Sequence, residues 1–173
     1  MKTLAMRAAL VAGIAVLADE ALKTLVRASL DVCPPPFAIG ACDRLGASPL
    51  ALVRTENAGS AFGFVQGSWL WVAIAALSLL LVPMYGRKLQ TAGWMPALAM
   101  GLQTGGALGN LLDRLVSGHV TDEIAIGRTY VIFNLADVAL VLGMVLAMRT
   151  LLGGRAAALR LQHAAAEPAQ AML

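Results

Sequence analysis

The chain has 173 residues, of which 59% are hydrophobic and 13% charged, and its formal net charge is +3. This length allows one domain, and so apolar a composition is typical of a membrane protein rather than of a soluble domain of that size. Basic residues are scattered and form no patch rich in lysine and arginine. Nucleic acid is therefore not expected as a partner.

Four apolar stretches predict an all-α membrane protein with four transmembrane helices in a single membrane domain, 1–173. The stretches cover about residues 6–28, 69–85, 94–113 and 130–148. Each is near the roughly 20 residues that a helix needs to cross the hydrocarbon core. The first continues past a small-residue cluster that resembles a cleavage site, which favours a retained helix over a cleaved signal peptide. The alanine-rich tail, about residues 153–173, is expected to be flexible.

The basic residues that flank the spans indicate the orientation. One side carries Lys2, Arg7, Arg87, Lys88, Arg149, Arg155 and Arg160, and the other carries Arg44, Arg54, Arg114 and Arg128. Cytoplasmic flanks are the ones enriched in lysine and arginine. Both termini are therefore predicted to be cytoplasmic.

The long segment between the first two spans, about residues 31–66, predicts a small extracytoplasmic β-cradle because it combines turn residues with alternating apolar runs. It contains both cysteines, Cys33 and Cys42. A disulfide is plausible if this side is oxidising, and two unpaired small apolar residues are an equally open alternative. Two cysteines are too few for a structural zinc site.

Asp113 and Asp137 are the candidate catalytic residues. Each is preceded by an asparagine three residues earlier, Asn110 and Asn134. An ionisable group at membrane depth is costly and is a functional-site hypothesis by default. With the predicted orientation, both aspartates fall near the outer face on adjacent helices, with Asp137 about two turns inside its span. We therefore expect the two carboxylates to meet.

A pair of carboxylates roughly 3 Å apart cannot both ionise, so the pair holds one proton near neutrality. The ionised member can activate water while the protonated member hydrogen-bonds a carbonyl, which is the chemistry of peptide hydrolysis. No cysteine or serine has a convincing histidine partner, and His119 and His163 lack metal-ligand spacing, so neither metal nor cofactor is expected.

Structural interpretations compete at each position. Asp113 could sit in interfacial water, and Asp137 could form a packing salt bridge with Lys23 or Arg114. Asp19 and Lys23, four residues apart, can neutralise each other on one helix face. The remaining polar positions are typical of a turn or of helix–helix hydrogen bonds; they are Asn57, Gly59, Asn110 and Asn134.

Four motifs in order resemble the lipoprotein signal peptidases (signal peptidase II), the aspartyl proteases of the bacterial inner membrane. They are Asp19 with Lys23; Asn57, Gly59, Ala61 and Phe62; Gly109, Asn110, Asp113 and Arg114; and Phe133, Asn134, Ala136 and Asp137. The resemblance runs from about Asp19 to Gly143.

The resemblance implies cleavage before a diacylglyceryl-modified cysteine, which releases the signal peptide of a prolipoprotein at the outer face of the membrane. It implies a catalytic pair of Asp113 and Asp137, with membrane lipid and globomycin-type inhibitors as further partners. It also implies supporting or substrate-binding roles for Asp19, Lys23, Asn57, Gly59, Asn110, Arg114, Asn134 and Ala136.

Several positions depart from the family pattern. Gly-x-Val-x-Asp-Phe appears here as Gly118, Val120, Asp122 and Glu123, so a carboxylate replaces an apolar side chain. Glu20 and Val138 replace a common Gln and Ser, and the segment between the two cysteines is unusual.

Two other functions compete with hydrolysis. A four-helix carrier could use the two aspartates as a proton relay, although a relay usually lies near the midplane. A diverged, non-catalytic paralogue is the other, motivated by Glu123.

Overall fold

A computed structural model describes residues 2–33, 42–47, 49–59, 73, 77, 94–127 and 131–170, with side chains described as far as residue 153. Apart from two isolated positions, the second predicted span, about residues 69–85, lies outside the described residues. The described part is predominantly helical and carries one small antiparallel sheet.

Three long helices are described: α1 (Lys2–Ser29), α2 (Trp94–Ser117) and α3 (Leu135–Gln170). Helix α2 packs against both α1 and α3. Within the described residues, Leu135–Gly153 of α3 is the one stretch that is long and apolar enough to cross a membrane by length and composition alone. Polar and small residues lower the mean hydropathy of α1 and α2. Several of these residues form the contacts of the site.

Glycines let α2 approach both neighbours closely. A Cβ atom at Gly105 would lie 2.8 Å from the carbonyl oxygen of Ala12 on α1. A Cβ atom at Gly106 would lie 2.5 Å from the carbonyl oxygen of Ala136 on α3. Small residues at helix interfaces permit such approach in membrane proteins. Adjacent glycines thus hold α2 against the two helices that carry the remaining site residues.

Gly106→Ala should therefore destabilise the protein, by about 1–3 kcal/mol as expected for overpacking. Backbone atoms of α3 would have to move, and Ala136 lies beside Asp137. The matched control is Gly13→Ala on α1, where an added Cβ meets no atom of the described residues within 4 Å. Thermal unfolding in detergent micelles measures the difference, and equal melting temperatures for the two variants would contradict this packing.

The sheet contains β1 (Leu45–Ala47), β2 (Leu50–Asn57), β3 (Val120–Ile126) and β4 (Val131–Phe133), paired in that order and antiparallel throughout. Val53, Ala125 and Ile132, one from each of β2, β3 and β4, pack together as a small apolar core. The first two strands fall in the segment predicted to form a β element. The other two come from the connection between α2 and α3, so the sheet joins the two halves of the chain.

The connection from α1 to the sheet is fixed covalently and by hydrogen bonds. Cys33 and Cys42 form a disulfide, with Cα atoms 5.1 Å apart. The Cys33 N–H donates to the carbonyl oxygen of Arg54 on β2 at 2.7 Å. The Arg54 guanidinium donates to the carbonyl oxygen of Arg27 at 3.2 Å, close to the end of α1. This region therefore ties β2 to the last turn of α1.

The fourth predicted span begins too early. Residues 131–133 pair with residues 124–126 as β4, and Asn134 caps the helix that starts at Leu135. A run of Val, Ile and Phe suits a strand as well as an apolar helix. Asp137 consequently lies in the first turn of α3, not two turns inside a span. At its other end α3 continues to Gln170, because alanine, leucine, arginine and glutamine favour helix in a region we expected to be flexible.

Candidate active site

Asp113 belongs to a buried ion cluster. Its Oδ2 atom lies 2.9 Å from the Nζ atom of Lys23 and accepts the backbone N–H of Thr121 at 3.1 Å. Its Oδ1 atom accepts a hydrogen bond from the Arg27 guanidinium. Lys23 also lies 2.7 Å from the Oδ2 atom of Asp19, as the spacing of four residues predicted. Asp113 is thus neutralised by two cations, an arrangement that suits a structural carboxylate.

Asp137 is held by two asparagines. Asn110 donates to its Oδ1 atom at 2.8 Å, and the backbone N–H of Asn134 reaches its Oδ2 atom at 3.4 Å. The Asn134 side chain in turn accepts the N–H of Asp137 at 2.8 Å. Asn134 and Asp137 therefore form a reciprocal cap at the start of α3. The two asparagines predicted to support the site do contact this carboxylate.

Asp122 on β3 supplies a second carboxylate that binds Asn134, and it is buried. Asn57 donates to its Oδ2 atom at 3.0 Å, and Asn134 donates to its Oδ1 atom at 2.7 Å. No cation forms a salt bridge with Asp122 within the part of the chain that the structure describes. Burial raises the pKa of Asp122 to about 6; the charge of Asp137 adds to that rise, and the two amide hydrogen bonds oppose it.

Arg114 links the helices to the sheet. Its guanidinium donates to the carbonyl oxygen of Asn110 at 3.1 Å and to that of Gly59 at 3.3 Å. The Gly59 N–H donates to the Oδ1 atom of Asn57 at 3.0 Å, which orients the Asn57 amide toward Asp122. Arg114 therefore connects α2 to the end of β2, and it does not pair with Asp113.

The carboxylate contact expected between Asp113 and Asp137 is not found. No hydrogen bond joins these two side chains in the described structure, because Asp113 faces the cations of α1 and Asp137 faces the asparagines. The pair that shares a common partner is Asp122 and Asp137, both held by Asn134. The other predicted site residues do surround this pair or the ion cluster; they are Asp19, Lys23, Asn57, Gly59, Asn110, Arg114, Asn134 and Ala136.

Sequence reasoning missed two residues, Asp122 and Arg27. The signal for Asp122 was available, since Gly118, Val120 and Asp122 match the Gly-x-Val-x-Asp pattern. Arg27 follows Lys23 by four residues on the helix, so it shares a face with Asp19 and Lys23.

These features place several buried carboxylates, held by asparagine, lysine and arginine side chains, where the helices meet the small sheet. Comparisons with known proteins identify the class of protein. The family described as Signal peptidase (SPase) II matches residues 11–152. The chain belongs to the signal peptidase II family.

Two similar proteins carry the name lipoprotein signal peptidase. The one from Rhodococcus jostii is 36% identical over 83% of this chain and 71% of its own length. The one from Streptomyces coelicolor is 39% identical over 79% of this chain and 65% of its own length. The chain thus spans about two thirds of the length of each relative.

A bacterial membrane enzyme solved in meso at 2.3 Å resolution aligns with a TM-score of 0.70 at 26% identity, covering 84% of this chain and 87% of that one. A second such structure, at 1.9 Å resolution, aligns with a TM-score of 0.68, also at 26% identity, over 84% and 92% of the two chains. The family resemblance is therefore confirmed, together with the membrane-enzyme character of the fold.

Proposed function

We propose that this protein cleaves the signal peptide from diacylglyceryl-modified prolipoproteins, N-terminal to the lipidated cysteine, as an aspartic endopeptidase whose catalytic pair is Asp122 and Asp137. Family membership supports the reaction. One observation supports the pair: Asn134 binds both carboxylates, and neither has a salt bridge to a cation in the described structure. Two carboxylates held by neutral amides can share a proton.

Because the pair holds one proton, the ionised and the protonated carboxylate have different roles. The ionised carboxylate removes a proton from water, whose oxygen attacks the scissile carbonyl carbon. The protonated carboxylate donates a hydrogen bond to the carbonyl oxygen and stabilises the negative charge that develops there. The leaving amine then takes a proton from the pair as the C–N bond breaks.

Asp113 takes a positioning role in this proposal. Its Oδ2 atom accepts the N–H of Thr121, the residue before Asp122. The Arg27 side chain also donates to the Thr121 hydroxyl at 2.9 Å. The ion cluster on α1 therefore fixes β3 at the point where it presents Asp122 to Asp137.

Two buried polar atoms beside the pair have no hydrogen-bond partner among the described residues, and they can bind the substrate backbone. They are the Oδ1 atom of Asn110, an acceptor, and the Nε atom of Arg114, a donor. A buried polar group without a partner is costly, so a ligand that satisfies it gains affinity. An extended peptide supplies both an N–H and a carbonyl for these two atoms.

The membrane arrangement remains part of the proposal: four spans, both termini cytoplasmic and the site toward the outer face of the inner membrane. In this orientation the sheet lies outside the membrane, above the start of α3, where a substrate anchored by its diacylglyceryl group would enter from the lipid. Globomycin-type inhibitors are expected to compete for the same site.

The test is a gel-shift assay on a diacylglyceryl-modified prolipoprotein in detergent micelles. Wild type is expected to release the signal peptide, and Asp137→Asn to release none, because the amide cannot exchange the proton. Asp31→Asn, an exposed aspartate just beyond α1, is the matched control and should cleave as wild type does. Cleavage by Asp137→Asn at the wild-type rate would reject the aspartic mechanism, and loss of activity with a chelator would indicate a metal instead.

A further inference from the structure

The start of α3 is fixed by three separate acceptors. The N–H of Leu135 donates to the Oε1 atom of Glu123 at 3.0 Å, that of Ala136 to the Oδ1 atom of Asp19 at 2.7 Å, and that of Asp137 to the side chain of Asn134 at 2.8 Å. These are helix N–H groups that have no partner within the helix itself. One of these N–H groups is therefore accepted by β3, one by α1 and one by the cap residue Asn134.

We propose that Glu123 is a positioning residue whose carboxyl group fixes the first turn of α3 and thereby places the Asp137 carboxylate against Asp122. This inference rests on the proposed function of the same site. Asp122 binds Asn134 and Glu123 binds Leu135, so consecutive residues of β3 hold consecutive residues at the start of α3. Removing one of the two contacts should let the turn shift relative to the strand.

The charge around Glu123 favours its neutral form. Its side chain is fully buried, and its Oε2 atom has no hydrogen-bond partner in the part of the chain that the structure describes. On α1 it faces Asp19 and Lys23, and the ammonium group of Lys23 already binds Asp19 and Asp113. Its own strand adds Asp122, and on α3 the titratable group nearest Leu135 in sequence is Asp137. An ionised Glu123 would thus add a third negative charge to those of Asp19 and Asp122, while Lys23, the cation that acts on it, already pairs with Asp19 and Asp113.

The pKa of Glu123 agrees with this geometry. Burial raises it to about 8, with a further rise from the charges of Asp19 and Asp122, while the Leu135 N–H and Lys23 oppose the rise. At neutral pH, Glu123 is therefore a carboxylic acid whose carbonyl oxygen accepts the Leu135 N–H. It holds the turn without placing another negative charge beside the catalytic pair.

Two variants distinguish the role of Glu123 as a hydrogen-bond acceptor from its role as an ionisable acid. Glu123→Leu removes the acceptor, and kcat should fall on the order of 10²-fold, the effect of misplacing a catalytic group by about 1 Å, while KM changes little. Glu123→Gln keeps the carbonyl oxygen and should retain the wild-type kcat. A wild-type kcat in Glu123→Leu would overturn the proposal, and so would an equal loss in both variants. If wild type itself cleaves no prolipoprotein, the proposed function fails instead.

A measurement without substrate tests the same residue. The folded pKa of Glu123 lies above its ordinary value of 4.5, so its stabilising contribution is complete below about pH 4.5 and is lost as pH rises through about 8. Glu123→Gln cannot ionise, so its melting temperature should rise relative to wild type between pH 5 and 9. Glu56→Gln, an exposed position on β2, is the control. Parallel pH profiles for wild type and Glu123→Gln would contradict a buried neutral acid.

Discussion

Asp122→Asn should abolish cleavage, with a loss in kcat on the order of 10³-fold or more, as expected when an acid–base group that also orients water is removed. The substitution preserves the size of the side chain, and the carboxamide can still accept one amide hydrogen bond from Asn57 or Asn134. It cannot share a proton with Asp137. The fold should therefore survive while the chemistry is lost, and initial rates per amount of folded enzyme measure this directly.

Asp113→Asn is the matched comparison, because the same change is made nine residues earlier. Asp113 binds Lys23, Arg27 and the N–H of Thr121, so its loss should act on stability, by about 1–3 kcal/mol for an impaired buried hydrogen-bonded group. Below its melting temperature, the folded variant should retain activity within about tenfold of wild type, since the reacting pair itself remains. The reverse ranking of the two variants would restore Asp113 as the catalytic partner of Asp137.

A double variant provides a further check on the pair. Residues that act as one catalytic unit show strongly non-additive losses. Asp122→Asn combined with Asp137→Asn should therefore be no slower than either single variant. Additive losses would indicate that the two carboxylates act in separate steps.

Most residues of the candidate site could be predicted from the sequence. Which of its carboxylates share a hydrogen-bond partner could not. The spacing of Asp19 and Lys23, and the asparagines three residues before Asp113 and Asp137, indicated contacts that the structure contains in part. Local patterns carry this information because helix geometry brings residues three and four apart together.

The proposed role of Asp122 depends on contacts between residues that are far apart in the sequence. Local sequence patterns do not reveal such contacts. Its partner Asn57 lies 65 residues away, and the two meet because β2 pairs with β3. Residues 131–133 are too short and apolar to be told from the start of a membrane helix by periodicity. Taking them as the start of a helix put Asp137 about two turns inside it, whereas Asp137 lies in the first turn of α3.

Lys23→Met should cause the largest loss of stability among single changes at this site. Lys23 is fully buried and lies within 2.9 Å of both Asp19 and Asp113. Methionine has a similar length but no charge, so two buried carboxylates would lose their shared cation. Breaking a buried ion pair by removing one partner costs about 3–5 kcal/mol. Lys2→Met, an exposed lysine in the first turn of the same helix, is the matched control, and thermal unfolding in micelles gives the comparison.

A second substitution should then recover part of that loss. In Asp19→Asn with Lys23→Met, the carboxamide oxygen can still accept the Ala136 N–H, while the Asp19 charge that Lys23→Met leaves without its cation is gone. Asp113 retains Arg27 as its partner. The double variant should therefore melt above Lys23→Met alone, because replacing both members of a buried pair costs less than removing one. A lower melting temperature for the double variant would show that the ion cluster stabilises the protein through packing and not through charge.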